Sequence, residues 1–360
     1  MLPLEQRRSL TRVEDILVSP EQAAAPVSAP ACDSIQQCVQ AVRRARERQA
    51  SVVLMYGAHL LRNGAALILA EMMRRGWITH VATNGAGTIH DWEYAWLGRS
   101  TESVEENVAT GTFGAWDETG RNIHLALLAG GIRGEGYGAS LGRFIAEDGA
   151  YLPAADQLEQ IIREFPTDSN APACVDLLRA IGQHQLPEGQ IEVIHRWKHA
   201  SILASAFQHH VPATVHPGIG YDIVSCHPMF NGAVIGRAAE LDFKIFGGAV
   251  ENLDGGVVLS IGSAIMAPQV FEKALSCVHN LRFQQGRPPV CDFDIFVVDL
   301  QDGGNWDWSA GEPPKDNPAY YLRFCKSFSR MGGAMRYVQC DNLAFIHNLF
   351  HQLRETPDRA

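Results

Sequence analysis

No stretch of this 360-residue sequence approaches the roughly 18 uninterrupted apolar residues that a membrane-spanning helix needs. The N-terminal MLPLEQRRSLTRVED has basic residues but no apolar segment behind them, so no secretory signal is expected and the chain is expected to be cytoplasmic. Eight cysteines, at 32, 38, 174, 226, 277, 291, 325 and 340, form no CxxC pair and no metal-ligand spacing, and read as free thiols, mostly in packing. Fourteen histidines occur without an HExxH or similar zinc signature, so no metal is expected. Basic blocks are missing as well. With 30 Lys and Arg against 40 Asp and Glu the formal charge is −10, which disfavours a nucleic-acid partner, because phosphate binding needs a concentrated cationic surface. A small cationic substrate is compatible with that balance. Neither an internal repeat nor a linker interrupts the chain, which points to a single large domain.

What is present is an ordinary globular composition, 46% hydrophobic and 19% charged. Residues 1–33 form a polar arm ending in PEQAAAPVSAPA, expected to be ordered only where it leans on the body or on a neighbouring subunit. The pattern then becomes regular. A helix at about 33–49 leads to SVVLMYG, an apolar run too short for a helix and bounded by Gly57, hence a buried strand. HLLRNGAALILAEMMRRG has helical spacing and closes at Gly76; WITHVATNGAG is a second strand running into a glycine turn. A helical region spans about 117–182, broken near Gly149 and Pro166. Strands follow at 191–195, 213–216, 255–264, 293–300 and about 334–339, separated by helices and by a Gly/Asp/Trp-rich loop at 301–318. This alternation predicts an α/β fold, a Rossmann-like parallel sheet with helices on both faces.

Open parallel sheets bind ligands beyond the carboxyl ends of their strands. Four such ends are rich in glycine and polar residues: Thr83–Glu93, His216–Asp222, Gly262–Ala264 and Asp299–Gly304. In TNGAGTIHDWE, Gly85 and Gly87 let a backbone approach a pyrophosphate at a helix N-terminus. A tight strand-to-helix turn, with Asp91 and Glu93 steadying the helix start, accounts for the same residues, and GAG is not the GxGxxG fingerprint. HPGIGYD presents His216, Tyr221 and Asp222 from one rigid corner, a combination suited to acid–base work or to recognising an ammonium group; a glycine turn with incidental polar residues is the alternative. Lys326, in YYLRFCKSF, has aromatic and apolar neighbours in sequence that could desolvate it into a Schiff-base nucleophile, although most lysines of this kind reach solvent.

Taken in order, these segments resemble the deoxyhypusine synthase family over about residues 50–350. The likeness rests on GAHLLRNGAALILAEMMRRGWITHVATNGAGTIHD, AFQHHVPATVHPGIGYD, GGVVLSIGSA, PPKDNPAYYLRFCKSF and MRYVQCDNLAF. It implies a Rossmann-like NAD-binding domain (34–360 after the arm) assembled as a homotetramer. The chemistry it implies is transferase chemistry in which NAD transiently oxidises a polyamine and a lysine imine carries the transferred group. By position, His59, Asn63, Asn84, Gly85, Ala86, Gly87, Gly262 and Ser263 would line NAD. Asp222 would meet the substrate amine with His216 beside it, His90, Asp91, Glu93 and Tyr221 would face substrate, and Lys326 would fall within about one residue of the imine lysine. The departures are as informative. Ile89 and His90 replace the family's paired glutamates, Ala267 or Pro268 a histidine, Pro217 an aspartate, and Phe324 and Cys325 a Trp-Gly pair. Losing carboxylates that pair with buried ammonium groups should cost several kcal/mol of recognition. The expectation is therefore an NAD-dependent enzyme acting on a small amine or hydroxyl compound by oxidation followed by elimination or group transfer, and not a protein-modifying deoxyhypusine synthase. The alternatives are a non-catalytic dinucleotide-binding module and an enzyme for a sugar or phosphate-bearing substrate.

Overall fold

The computed structural model of the protein describes residues 1–355. They fall into two compact units, each assembled from two separate stretches: Met1–Ile16 with Asn84–Phe243, and Leu17–Thr83 with the described residues from Lys244 onward. No linker marks the division because two crossings fall inside regular elements, the strand His80–Asn84 and the helix Gly232–Glu251.

The second unit is built on parallel strands β1 (Val52–Tyr56), β2 (His80–Asn84), β3 (Val257–Ile261), β4 (Asp294–Asp299) and β5 (Ala334–Gln339), in the spatial order β5-β4-β3-β1-β2. Register is continuous across the centre, with Val52 opposite Val257 and Tyr56 opposite Ile261. Every residue of β1 is fully buried, as are four of the five in β3, the pattern expected of strands covered on both faces. From β1 the chain moves one way to β2; from β3 it moves the other way through β4 to β5. Right-handed crossovers then put the β1–β2 connection (Ala66–Arg74) on one face and the later connections (Met266–Gln284 and Arg323–Ser329) on the other. Asn342–Glu355 packs against Ala66–Arg74 and Ala29–Glu47, completing the first of those layers. The α/β parallel architecture with helices on both faces is that anticipated from the apolar runs.

The first unit is mainly helical around Gly85–Leu97, Asp117–Gly131, Tyr137–Ala146 and Ile202–Gln208. The structure differs from the sequence reading in two places, one of them in this unit. The segment read as a strand at 191–195 pairs as Gly189–Glu192, antiparallel to Gly149–Leu152 and outside the parallel sheet. Its half-exposed, alternating burial is that of an edge ladder, and the break expected near Gly149 is the partner strand. The arm also ends earlier than 33. Ser28 caps Ala29–Glu47 by accepting from Ala31 N–H, with Pro30 in the first turn, where its missing N–H costs nothing. Upstream, residues 1–16 are integral to the first unit: Leu4 and Arg7 are buried, and Arg7 grips Glu93 with two hydrogen bonds.

Candidate functional site

Strand order reverses between β1 and β3, so the second unit has its topological switch point at the carboxyl ends of these two strands. Gly57 ends β1, and a Cβ on it would lie 2.5 Å from the Gly262 carbonyl oxygen that ends β3. Gly262 itself has φ +60°, a conformation that favours glycine, and a Cβ there would lie 2.5 Å from Asn342 Nδ2. Two backbones and a carboxamide thus meet where any side chain would block the crevice. Asn342 opens the helix after β5, is buried, and among the described residues its Oδ1 has no hydrogen-bond partner. A buried acceptor left unpaired costs about 1–3 kcal/mol, which a ligand donor would recover. Ser263 is buried beside Gly262, and its Oγ accepts from Ala267 N–H at the head of the next helix. His59 is exposed on Ala58–Arg62, and Asn63 ends that short helix. Gly57, His59, Asn63, Gly262, Ser263 and Asn342 therefore gather at the ends of β1, β3 and β5. The sequence reading singled out neither Asn342 nor Gly57 as a candidate contact. Asn342 lies in MRYVQCDNLAF, a segment that carries the family resemblance, but nothing within that segment distinguished it.

The far end of this edge carries the loop 301–318. Trp308 is buried, whereas Trp306 lines a cleft of about 390 Å³ with Ser28, Ser34, Asn305, Tyr337 and Gln339. Lys326 lies on Arg323–Ser329, with Nζ 2.7 Å from Glu312 and 3.3 Å above the Tyr320 ring. The aromatic setting is as expected; the carboxylate partner, fourteen residues away in the loop, was not.

In the first unit, Asn84 caps Gly85–Leu97, its Oδ1 accepting from Gly87 N–H at 2.9 Å. Gly85 lies against the Asp222 carboxylate, which a methyl group at 85 would strike. Asp222 also accepts from Gly218 N–H at 2.7 Å, and the Tyr221 ring covers Gly218 while staying 72% exposed. Burial pushes the Asp222 carboxyl up to about 6 and the His216 imidazole down to about 4, so His216 is neutral at pH 7. The turns 84–87 and 216–222 thus come together as anticipated, with an aspartate poised near neutrality over a helix start. Ala86 and His90, one helical turn apart, are both half-buried. His90 Nδ1 is 2.7 Å from Ser100 Oγ, which donates to Glu93.

Asp91 and Glu93 are wholly buried. Asp91 accepts from Ser201 Oγ and from the N–H groups of Ile202 and Leu203, capping Ile202–Gln208. Glu93 accepts from both terminal nitrogens of Arg7, from Ser100 and from Thr119. Their hydrogen bonds run into the protein: the helix starts at Gly85 with no acidic residue in its first turn, so the two carboxylates do not steady its start, and, buried among these partners, they are not presented to a substrate as the resemblance implied. Among the described residues no group of three or more His, Cys, Asp or Glu is placed to hold a metal, and no helix is long and apolar enough to cross a membrane.

No protein-family model and no curated protein matches the chain. Solved structures do resemble it. One is apo ArgZ, an arginine dihydrolase of the ornithine–ammonia cycle in Cyanobacteria, at 12% identity and TM-score 0.41, covering 90% of this chain and 33% of that one. A second is AgrE in ternary complex with ornithine and NAD+, at 11% identity and TM-score 0.45, covering 93% and 34%. A third is a conserved putative LOR/SDH protein from Methanococcus maripaludis S2, at 12% identity and TM-score 0.45, covering 98% and 75%. The chain spans about a third of the length of ArgZ and AgrE.

Proposed function

We propose that the chain is an NAD-dependent enzyme of deoxyhypusine synthase-like type that transiently oxidises a small amine or hydroxyl substrate and then eliminates or transfers a group. The observation that carries this reading is the switch-point crevice of the second unit. Gly57 and Gly262 let two backbones and the Asn342 carboxamide approach one another there, and the buried Asn342 Oδ1 offers an acceptor to a donor such as an amide N–H or a ribose hydroxyl. Dinucleotides use this position in doubly wound sheets because the strand ends splay apart there. A bound nicotinamide supplies a hydride acceptor; the protein supplies binding, orientation and proton handling.

Asp222 is the proposed substrate-amine partner. A carboxyl near 6 can hold an ammonium as the anion and take up a proton once buried beneath substrate. His216, neutral, is the proposed acid–base neighbour, with Tyr221 and His90 at the substrate. Asn84, Gly85, Ala86 and Gly87 remain proposed dinucleotide contacts through the helix start they form. Lys326 is the proposed imine nucleophile. For that step Nζ must arrive unprotonated and leave Glu312, so substrate has to displace the pair. A homotetramer is proposed on the family resemblance.

Calorimetric titration with NAD+ tests the central claim. Wild type is expected to bind one dinucleotide per chain, and Gly57→Ala, which drives a methyl into the Gly262 carbonyl, is expected to lose at least about tenfold in affinity, about 1.4 kcal/mol. No saturable binding by the wild type would refute the reading.

A further inference from the structure

The cleft beside β5 takes part in no step of the proposed reaction. Three stretches of the second unit enclose it: the start of Ala29–Glu47, residues 303–306 of the loop after β4, and Tyr337–Gln339 at the carboxyl end of β5. Its volume of about 390 Å³ falls within the range of about 300–1,000 Å³ that small-molecule sites occupy. It also lies beyond strand ends of an open parallel sheet, where such sheets hold their ligands.

Among the described residues no charged side chain lines this cleft. A phosphate, carboxylate or ammonium buried there would lack a counter-charge, so the lining selects a neutral group. Trp306 and Tyr337, both half-buried, supply ring surface, and each ring is tethered by its polar tip. The Trp306 Nε1 donates to the Gly311 carbonyl at 2.9 Å, and the Tyr337 hydroxyl to the Gln301 carbonyl at 2.6 Å. Gly303 lies directly against Tyr337, where a Cβ would sit 2.6 Å from the ring, and this holds the ring to the loop. Rings fixed before a ligand arrives lose little freedom on binding it.

The polar groups, by contrast, are untied. Asn305 and Gln339 are exposed, and among the described residues neither carboxamide has a hydrogen-bond partner. Each carries two donors and an acceptor. Ser28 Oγ accepts from Ala31 N–H, which leaves its hydroxyl proton to donate; Ser34 Oγ donates to the Pro30 carbonyl, which leaves its lone pairs to accept. Two held rings, two free carboxamides, two hydroxyls and no charge are the complement of a purine nucleoside. Its fused rings give a wide stacking face, its base edge alternates donors with acceptors, and its sugar adds neutral hydroxyls.

We propose that the cleft beside β5 is a purine nucleoside site, with the base against Trp306 and Tyr337 and its edge bonded by Asn305 and Gln339. This stands independently of the NAD reading, although the adenosine half of a dinucleotide offers the same chemistry. Calorimetric titration of the full chain with adenosine and with guanosine tests it. Wild type is expected to bind at least one of them saturably, one per chain. Trp306→Ala should lower that affinity at least about fivefold, the loss of one stacking partner, and Trp306→Phe should restore most of it. The double variant N305A/Q339A removes two exposed side chains, so it should keep the wild-type melting temperature and yet lose at least about fivefold in affinity. Failure of wild type to bind either nucleoside overturns the proposal, as does unchanged affinity in Trp306→Ala or in the double variant. Should Trp306→Ala fail to fold, the double variant carries the test. NAD+ titrated into the same proteins identifies the source of the base: parallel losses assign the cleft to the dinucleotide, whereas lost nucleoside binding with unaltered NAD+ affinity makes it a separate site. Wild type that binds a nucleoside but not NAD+ refutes the crevice assignment and leaves the cleft standing.

Discussion

Replacing Arg7 with methionine isolates the ion pair that ties the N-terminal residues to the first unit. The Arg7 and Glu93 side chains are 2% and 0% exposed, and two bonds of 2.8 and 2.7 Å join them. Removing the guanidinium leaves a dry carboxylate with only the Ser100 and Thr119 hydroxyls, a loss of about 3–5 kcal/mol. The double variant Arg7→Met/Glu93→Gln removes both charges and should recover at least half of it. Burial raises the Glu93 carboxyl, but the charge and hydrogen bonds of Arg7 outweigh it, so the net position is below the ordinary range. In wild type the contribution of Glu93 is therefore present above the unfolded carboxyl value of about 4.3 and lost as pH falls through the folded one. Without Arg7 burial dominates and the carboxyl rises, so the cost of the single variant should be largest near pH 7.5 and shrink towards pH 5. Guanidinium unfolding monitored by tryptophan fluorescence is suited to this, because Trp92, Trp96, Trp116 and Trp197 belong to the first unit and Trp116 lies 5.9 Å from the guanidinium. A loss under about 1 kcal/mol, or one independent of pH, would refute the reasoning.

Four other outcomes follow from the geometry. Ser201→Ala, which removes both a helix cap and a bond to Asp91, should cost about 1–2 kcal/mol in the same unfolding assay. His124 and His195 are buried and held down to about 4, against about 6.5 unfolded. Their effect is thus absent above pH 6.5 and destabilises as pH falls towards 4, by up to about 3 kcal/mol each; His195→Leu should flatten that acid limb in melting scans. Borohydride reduction in the presence of substrate and NAD+ should fix label on Lys326, and labelling that survives Lys326→Arg would exclude it as the imine lysine. Light scattering should give a tetramer mass, and a monomer at micromolar concentration would contradict the assembly carried over from the family resemblance.

Much of the sheet was legible because its strands obey a local rule. Apolar runs such as VVLMY and VVLSI are bounded by glycine, and burial on both faces demands that pattern. Gly85 was visible as a close-approach position, whereas Gly57 was read only as the end of a strand and Gly262 entered through the family resemblance. Asp91 and Glu93 were not fully readable, since their partners sit at 201–203 and at Arg7, and nothing near 91–93 records either distance. The ladder at 189–192 shows the opposite failure: its alternation was in the sequence, but a short hydrophobic stretch after a helix was read as one more parallel strand. Asn342 escaped because a lone asparagine at a helix start ordinarily caps that helix, whereas here its Oδ1 is unpaired.

The interleaving of the two units sets a timetable for synthesis. The two central strands of the parallel sheet, β1 and β3, are separated in sequence by the whole of 84–243, so β1 must wait on the ribosome until residue 257 emerges. At ordinary elongation rates the stretch from β2 to β3 takes roughly 9–35 seconds. During that interval a fully apolar strand has no partner on one edge, and an expression host with strained chaperone capacity would lose this protein to inclusion bodies at that stage. The same arrangement denies any contiguous fragment the complete second unit, so dissecting it calls for rejoining residue 83 to residue 244 rather than for truncation.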